Sequence, residues 1–101
     1  MKKIKIGNRI IGQGEPCYII AEIGSNHNRN IEQARKLIDA AVNAGVDAVK
    51  FQTFTAKRLI ADLPDLLVNG RKKVDYLKQY ELPYEWHKDL FEYANKKGIA
   101  F

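Results

Sequence analysis

One cysteine, Cys17, is all the thiol chemistry in this 101-residue chain. An internal disulfide is therefore excluded, and a lone thiol suits a reducing compartment. Cys17 itself reads as a small, buried or half-buried hydrophobe beside a strand. Histidine is almost as scarce, with only His27 and His87. A metal could be reached through His27, or through Glu22 and His27 together, but no ligand triad has a recognisable spacing, so no metal ligand is assigned. Glycine forms no phosphate loop, because Gly7, Gly12 and Gly14 fall in a hairpin and its exit rather than between a strand and a helix. Ser25 lacks the flanking pattern of a nucleophile elbow. No apolar run approaches the roughly 20 residues needed to cross a bilayer, and Met1-Lys2-Lys3 leads into alternating residues instead of a signal-peptide block. A cytoplasmic protein without a membrane partner is expected.

Acidic residues are in the minority, 12 against 17 lysines and arginines, for a net charge of +5. The basic residues are spread along the chain with one local cluster, Arg71-Lys72-Lys73, which is weak support for a nucleic-acid groove. The same positive field would attract a small, highly charged substrate. With 46% hydrophobic and 29% charged residues, the composition is that of one ordinary folded unit.

The pattern along the chain predicts an α/β fold. Residues 3–12 read as a hairpin turning at Gly7 and Asn8. Tyr18 to Gly24 is a short Ile-rich run, a buried strand by length and composition. Asn30, with Gln33 three residues on, forms a capping box for a helix whose apolar face is Ile31, Ala34, Leu37, Ile38, Ala41 and Val42, ended by Gly45 as a left-handed cap. A second strand over 48–53 completes a strand-helix-strand unit, which makes the two strands parallel neighbours. Residues 54–82 form a long connection with one short helical turn near Val74 to Tyr80. Pro83 opens another helix carrying Trp86, Leu90, Phe91 and Ala94 and stopping at Gly98, and residues 99–101 begin a third strand. His87 and the aromatics Tyr84, Trp86, Phe91 and Tyr93 read as packing or surface residues of that helix.

Function in a parallel β/α array gathers at the carboxyl ends of the strands. Alternation puts Ile19, Ala21 and Ile23 on one face of the first strand, with Ile20, Glu22 and Gly24 on the other. In the second, Val49 and Phe51 oppose Ala48, Lys50 and Gln52. The apolar sets must pack against helices, so Glu22, Lys50 and Gln52 point to the opposite side. A carboxylate and an ammonium placed there must pair with each other or with a ligand. Lys50 suits a phosphate or carboxylate; Gln52 can donate to an anion or accept from a hydroxyl; Glu22 can orient or deprotonate a hydroxyl or water.

The runs Tyr18-Ile-Ile-Ala-Glu-Ile-Gly-Ser-Asn-His-Asn28, Leu37-Ile-Asp-Ala-Ala41 and Ala44-Gly-Val-Asp-Ala-Val-Lys-Phe-Gln-Thr53 resemble the start of the N-acetylneuraminate (sialic acid) synthase family, which includes legionaminic and pseudaminic acid synthases. Ile6-Gly-Asn-Arg9 and Pro83-Tyr-Glu-Trp-His-Lys-Asp-Leu-Phe91 extend the likeness over nearly the whole chain. The resemblance implies a partial (β/α)8 TIM barrel with an amino-terminal hairpin, the first two strands complete and the third begun. Residues 1–101 would then be the first quarter to third of a synthase, with barrel units from residue 18 onward. In the implied reaction C3 of phosphoenolpyruvate attacks the aldehyde of an N-acylated amino sugar such as N-acetylmannosamine, a metal-associated water adds at C2, and phosphate leaves. By position Glu22 would contact the reacting sugar or water, Lys50, Gln52 and Thr53 would hold the anionic substrate or intermediate, and Asn69 would match a sugar-binding asparagine. The Mn2+ or Mg2+ that the resemblance implies has its ligands outside this chain, and the longer parent would be a homodimer. Arg29 stands where the family usually has glycine. The isolated chain should be inactive. Rival readings are another phosphoenolpyruvate aldol-type synthase acting on a sugar phosphate, and a non-catalytic module that self-assembles through open strand edges.

Overall fold

The computed structural model describes residues 2–101; Met1, the first residue of the expected 1–101 unit, lies outside the described residues. Strands β1 (Ile4–Ile6) and β2 (Arg9–Ile11) pair antiparallel, and Gly7 turns between them at φ 57°. Hairpin isoleucines Ile4, Ile6 and Ile10 stay exposed, so the ribbon adds little core of its own. It is tied down at its base: the Asp47 carboxylate accepts from the Arg9 guanidinium and, at 2.7 Å, from the Ile19 backbone N–H.

Strand β3 (Ile20–Gly24) leads through a polar loop to helix α1 (Ile31–Ala44), and β4 (Ala48–Phe51) returns parallel beside β3. Both strands are shorter than their sequence patterns. Residues 18 and 19 precede β3, while Gln52 and Thr53 lie beyond β4. Helix α1 starts where the chain can cap it: Asn30 Oδ1 accepts from the Gln33 N–H at 3.1 Å. The expected reciprocal half of the capping box is absent, because the Asn30 N–H donates to the His27 carbonyl instead. Gly45, at φ 77°, closes the helix by donating to Ala41 and Val42 carbonyls.

The 54–82 connection is more structured than a loop. It holds α2 (Ala56–Leu59), a small hairpin of β5 (Leu67–Val68) and β6 (Arg71–Lys72), and α3 (Lys73–Lys78). The last helix, α4 (Trp86–Lys96), begins three residues after Pro83, which instead closes a preceding turn by accepting from the Trp86 N–H. Residues 99–101 then run back to β4, where Ala48 bridges Ala100 in parallel and the Val49 N–H donates to the Ala100 carbonyl at 2.8 Å.

The core lies between the sheet and the two long helices: Ile23 and Val49 from the strands, Ala34 and Ile38 from α1, Leu90 and Ala94 from α4. Alanines at 34 and 94, both fully buried, let the helices approach closely. Arg35 to Asp89 and Tyr93 to Asp39 then clamp α1 to α4 at the rim. Within this pair the Asp39 carboxylate, accepting the Tyr93 hydrogen bond, pushes the Tyr93 phenol above its usual range. Ile19, expected on the covered face, is 52% exposed, although its carbonyl accepts from the Asp47 and Ala48 N–H groups. Cys17 is likewise exposed rather than buried. No helix among the described residues is long and apolar enough to cross a membrane.

Candidate functional site

The carboxyl ends of β3 and β4 bring the sequence candidates together. Glu22 and Lys50 are direct partners in the parallel register, and Lys50 Nζ lies 3.1 Å from Glu22 Oε2. Both side chains are more than half exposed on the face away from the helices. A pair so open to water contributes little to stability.

Just past Glu22 the ladder skips a residue. Glu22 opposes Lys50 but Gly24 opposes Phe51, so Ile23 is the extra, bulged residue. The strict alternation expected for Gly24 therefore breaks at this point, and Gly24 is buried at φ 59°. Bulges of this kind re-aim side chains beside active sites. A Cβ at position 24 would sit 3.2 Å from Glu22 Oε1. Glycine thus leaves the space that the carboxylate occupies.

Gln52 extends the pairing by one bond, its N–H donating to the Gly24 carbonyl at 3.2 Å, with the residue exposed. Thr53 Oγ1 lies 2.7 Å from Nε2 of His87, and His87 Nδ1 lies 2.9 Å from the Tyr84 carbonyl. A carbonyl only accepts, so Nδ1 carries the proton; in the neutral ring Nε2 then accepts from the Thr53 hydroxyl. His87 is therefore more than a helix surface residue, because it fixes the Thr53 rotor. Tyr84 also departs from its expected packing role and stands 83% exposed. Asn69 sits elsewhere, at the exposed turn of the β5–β6 hairpin with φ 51°, followed by Gly70 at φ 75°. Two left-handed residues in succession make this a type I′ turn, and the turn accounts for the local need for asparagine.

Two adjoining clefts open at the same end. The larger, about 590 Å3, runs past Thr53, Phe54, Leu59 and Tyr84. The smaller, about 420 Å3, is lined by Lys57, Lys78 and Thr55. Arg29, Arg58 and Glu81 line both. Arg29 comes from the loop after β3 and adopts φ 53°, a left-handed conformation that explains why glycine suits this position.

His27, in the same loop, is fully buried, and burial lowers its pKa. Its Nδ1 accepts from the Arg29 N–H at 2.9 Å, which leaves the proton of the neutral ring on Nε2, an atom with no hydrogen-bond partner among the described residues. A ring in that state does not suit metal ligation, and no group of three His, Cys, Asp or Glu side chains among the described residues could hold a metal ion. The residues present do not fit a metal site.

The sequence pattern reached Glu22, Lys50, Gln52 and Thr53 through strand alternation and resemblance. It missed Arg29, Arg58 and Tyr84 as cleft residues, and His87 as the partner of Thr53, since their meeting joins segments more than 20 residues apart. Arg29 alone carried a signal, an arginine in a glycine position.

A model of the NeuB family matches residues 37–101. The chain is 39% identical, over its whole length, to the spore coat polysaccharide biosynthesis protein SpsE of Bacillus subtilis, of which it covers 28%. It is 38% identical, over 95% of its length, to the pseudaminic acid synthase of Campylobacter jejuni and covers 29% of that protein. The crystal structure of N-acetylneuraminic acid (sialic acid) synthetase from Leptospira borgpetersenii in complex with citrate superposes with a TM-score of 0.83 at 31% identity, over 97% of this chain and 32% of that one. The chain thus spans under a third of the proteins it resembles, and its mixed α/β fold is like the amino-terminal part of the synthetase. On the family match, which takes in β4, α4 and every cleft residue except Arg29, this chain belongs to the NeuB family.

Proposed function

We propose that this chain supplies part of the active site of a synthase that condenses phosphoenolpyruvate with an N-acylated amino sugar, such as N-acetylmannosamine, to give a nonulosonic acid and inorganic phosphate. The observation that carries the reading is the Glu22–Lys50 pair, held 3.1 Å apart at the carboxyl ends of two parallel strands. Family membership supports it, as do relatives named as pseudaminic acid and sialic acid synthases. On this reading the two strands open a (β/α)8 barrel, and the exposed face carrying Glu22 and Lys50 is its interior. Barrel closure would remove water from the pair and strengthen its field.

In the reaction, the enol double bond supplies the electron pair that joins C3 to the aldehyde carbon, and the aldehyde oxygen gains a proton. Water adds at C2, and phosphate departs with its bridging oxygen. Lys50 holds a carboxylate or phosphate oxygen of phosphoenolpyruvate, Gln52 donates its amide to the same anion, and Glu22 orients the reacting hydroxyl or water. The resemblance gives Asn69 to the sugar, but its turn stands apart from the Glu22–Lys50 pair, and it is given no step. A divalent metal, if used, takes its ligands from outside these residues, and no step is assigned to it. Residues 1–101 alone should be inactive.

The test uses the protein as its source cell makes it. Glu22→Gln and Lys50→Gln should each lower phosphate release from phosphoenolpyruvate and N-acetylmannosamine by about 10²-fold or more, the contribution typical of a positioned acid–base or charge-stabilising group. Lys50→Gln should also raise KM for phosphoenolpyruvate. Near-parental rates in both variants would exclude these residues from the chemistry.

A further inference from the structure

We propose that His87 is a positioning residue that sorts the two substrates at the strand ends. By taking up the Thr53 proton it leaves the Thr53 hydroxyl an acceptor only, closed to phosphoenolpyruvate and open to a ligand that brings its own hydrogen-bond donors. The inference rests on the synthase reading and deepens it.

The Tyr84 carbonyl sets the arrangement. It accepts twice from His87, from the backbone N–H at 3.2 Å and from Nδ1 at 2.9 Å, which uses both lone pairs of the oxygen. His87 lies in the first turn of α4, so this double contact fixes the ring against the start of the helix. The Tyr84 ring stands beside it, 5.3 Å between centroids and tilted by 39°. With Nδ1 committed as a donor, Nε2 is left to meet Thr53, and at 2.7 Å the hydroxyl gives its proton there. The imidazole is half-buried, whereas Thr53 is exposed after β4 and lines the larger cleft. His87 is not among the lining residues of either cleft, so it acts on a ligand through Thr53.

A hydroxyl that rotates freely gives a proton to an anion or takes a hydrogen bond from a donor, as the ligand requires. Pinned by His87, Thr53 has only lone pairs to offer. Phosphoenolpyruvate, ionised at neutral pH, presents a carboxylate and a phosphate, which are acceptors throughout, and the Thr53 lone pairs repel them. An N-acylated amino sugar brings hydroxyls and an amide N–H, donors that the pinned oxygen accepts. This reverses the part that resemblance gives Thr53, which was to hold the anionic substrate. The anion keeps its anchor at Lys50, which lines neither cleft and pairs with Glu22 on the other side of the strand ends.

The decisive comparison sets His87→Asn against His87→Gln in the protein as its source cell makes it. Asparagine reaches only the place of Nδ1 and leaves Thr53 without its acceptor, whereas the glutamine amide oxygen reaches the place of Nε2 and keeps it. With N-acetylmannosamine as co-substrate, His87→Asn should raise KM for the sugar roughly three- to tenfold, the loss of one oriented hydrogen bond. Turnover and KM for phosphoenolpyruvate should hold. The same variant should let phosphoenolpyruvate at high concentration compete with the sugar, because the freed Thr53 proton now donates to an anion. His87→Gln should restore parental behaviour on both counts, and adding Thr53→Val to His87→Asn should abolish the competition. In the parent, long-range 15N–1H NMR after selective histidine labelling should show the His87 ring protonated on Nδ1 and bare on Nε2. Equal sugar KM in parent and His87→Asn, a KM for phosphoenolpyruvate that rises with it, or a ring protonated on Nε2 overturns the proposal. So does equal loss in the Asn and Gln variants, which would reduce the bond to a tie between the end of β4 and α4. If the parent releases no phosphate from phosphoenolpyruvate and the sugar, the synthase reading fails; the ring tautomer and calorimetric titration of N-acetylmannosamine into the same variants then decide the role of His87 alone.

Discussion

Gly24 shows how one residue serves backbone and chemistry together. Its φ of 59° is costly for any side chain, and its missing Cβ is what lets Glu22 Oε1 stand 3.2 Å from that point. Gly24→Ala should therefore cost about 1–2 kcal/mol in denaturant unfolding, the usual penalty for a left-handed non-glycine residue. It should also push the carboxylate from Lys50 and lower turnover more than a remote variant of equal stability does. Unchanged turnover at the expected stability loss would show that the Glu22 position is not set by this contact. At this scale the sequence was informative wherever alternation applied, because Glu22 and Lys50 sit at matching places in two parallel strands. It was silent on His87, whose role depends on a 2.7 Å bond spanning 34 residues. No local period encodes such a bond.

The two long helices, the strands beside them and the amino-terminal hairpin were the legible elements. Helix α1 begins after Asn30 and ends at Gly45 because those residues satisfy its free N–H and C=O groups. The 54–82 segment was read only in part: the pattern placed a short helical turn near Val74 to Tyr80, where α3 stands, but not the four-residue α2 or the two-residue β5 and β6, which are too short to show a period. Asn69-Gly70 was the one available cue, since Asn-Gly is the strongest short-range signal for a two-residue hairpin turn. The amino-terminal hairpin depends on a different device. With its isoleucines exposed, its attachment rests on Asp47, which holds Arg9 of β2 and the backbone entering β3. Asp47→Ala should lower unfolding free energy by about 1–3 kcal/mol, the cost of stranding partly buried donors. Amide exchange should speed up first in residues 4–11. Protection that stays unchanged there would mean that the hairpin holds its place without this carboxylate.

The whole molecule is more open than its length requires. Its radius of gyration is 16.7 Å, against about 13 Å for a compact 100-residue domain. The parallel pairing runs from β3 through β4 to residue 100, so the outer edge of β3 and that of the 99–101 segment both carry unpaired backbone groups. Ile19 and Ile20 are each more than half exposed, and Ile20 shares its face with Glu22. Open edges next to bare isoleucines favour association, and a closing barrel would cover both. A polypeptide restricted to residues 1–101 should accordingly form polydisperse, concentration-dependent species in sedimentation velocity and bind a hydrophobic dye, while the protein as its source cell makes it should do neither. A single discrete oligomer of the 101-residue polypeptide with a cooperative melt would favour the self-assembling module over the barrel segment. A stable monomer would show that the exposed edges need no partner, and it would remove the energetic reason for placing Glu22 and Lys50 inside a closed barrel.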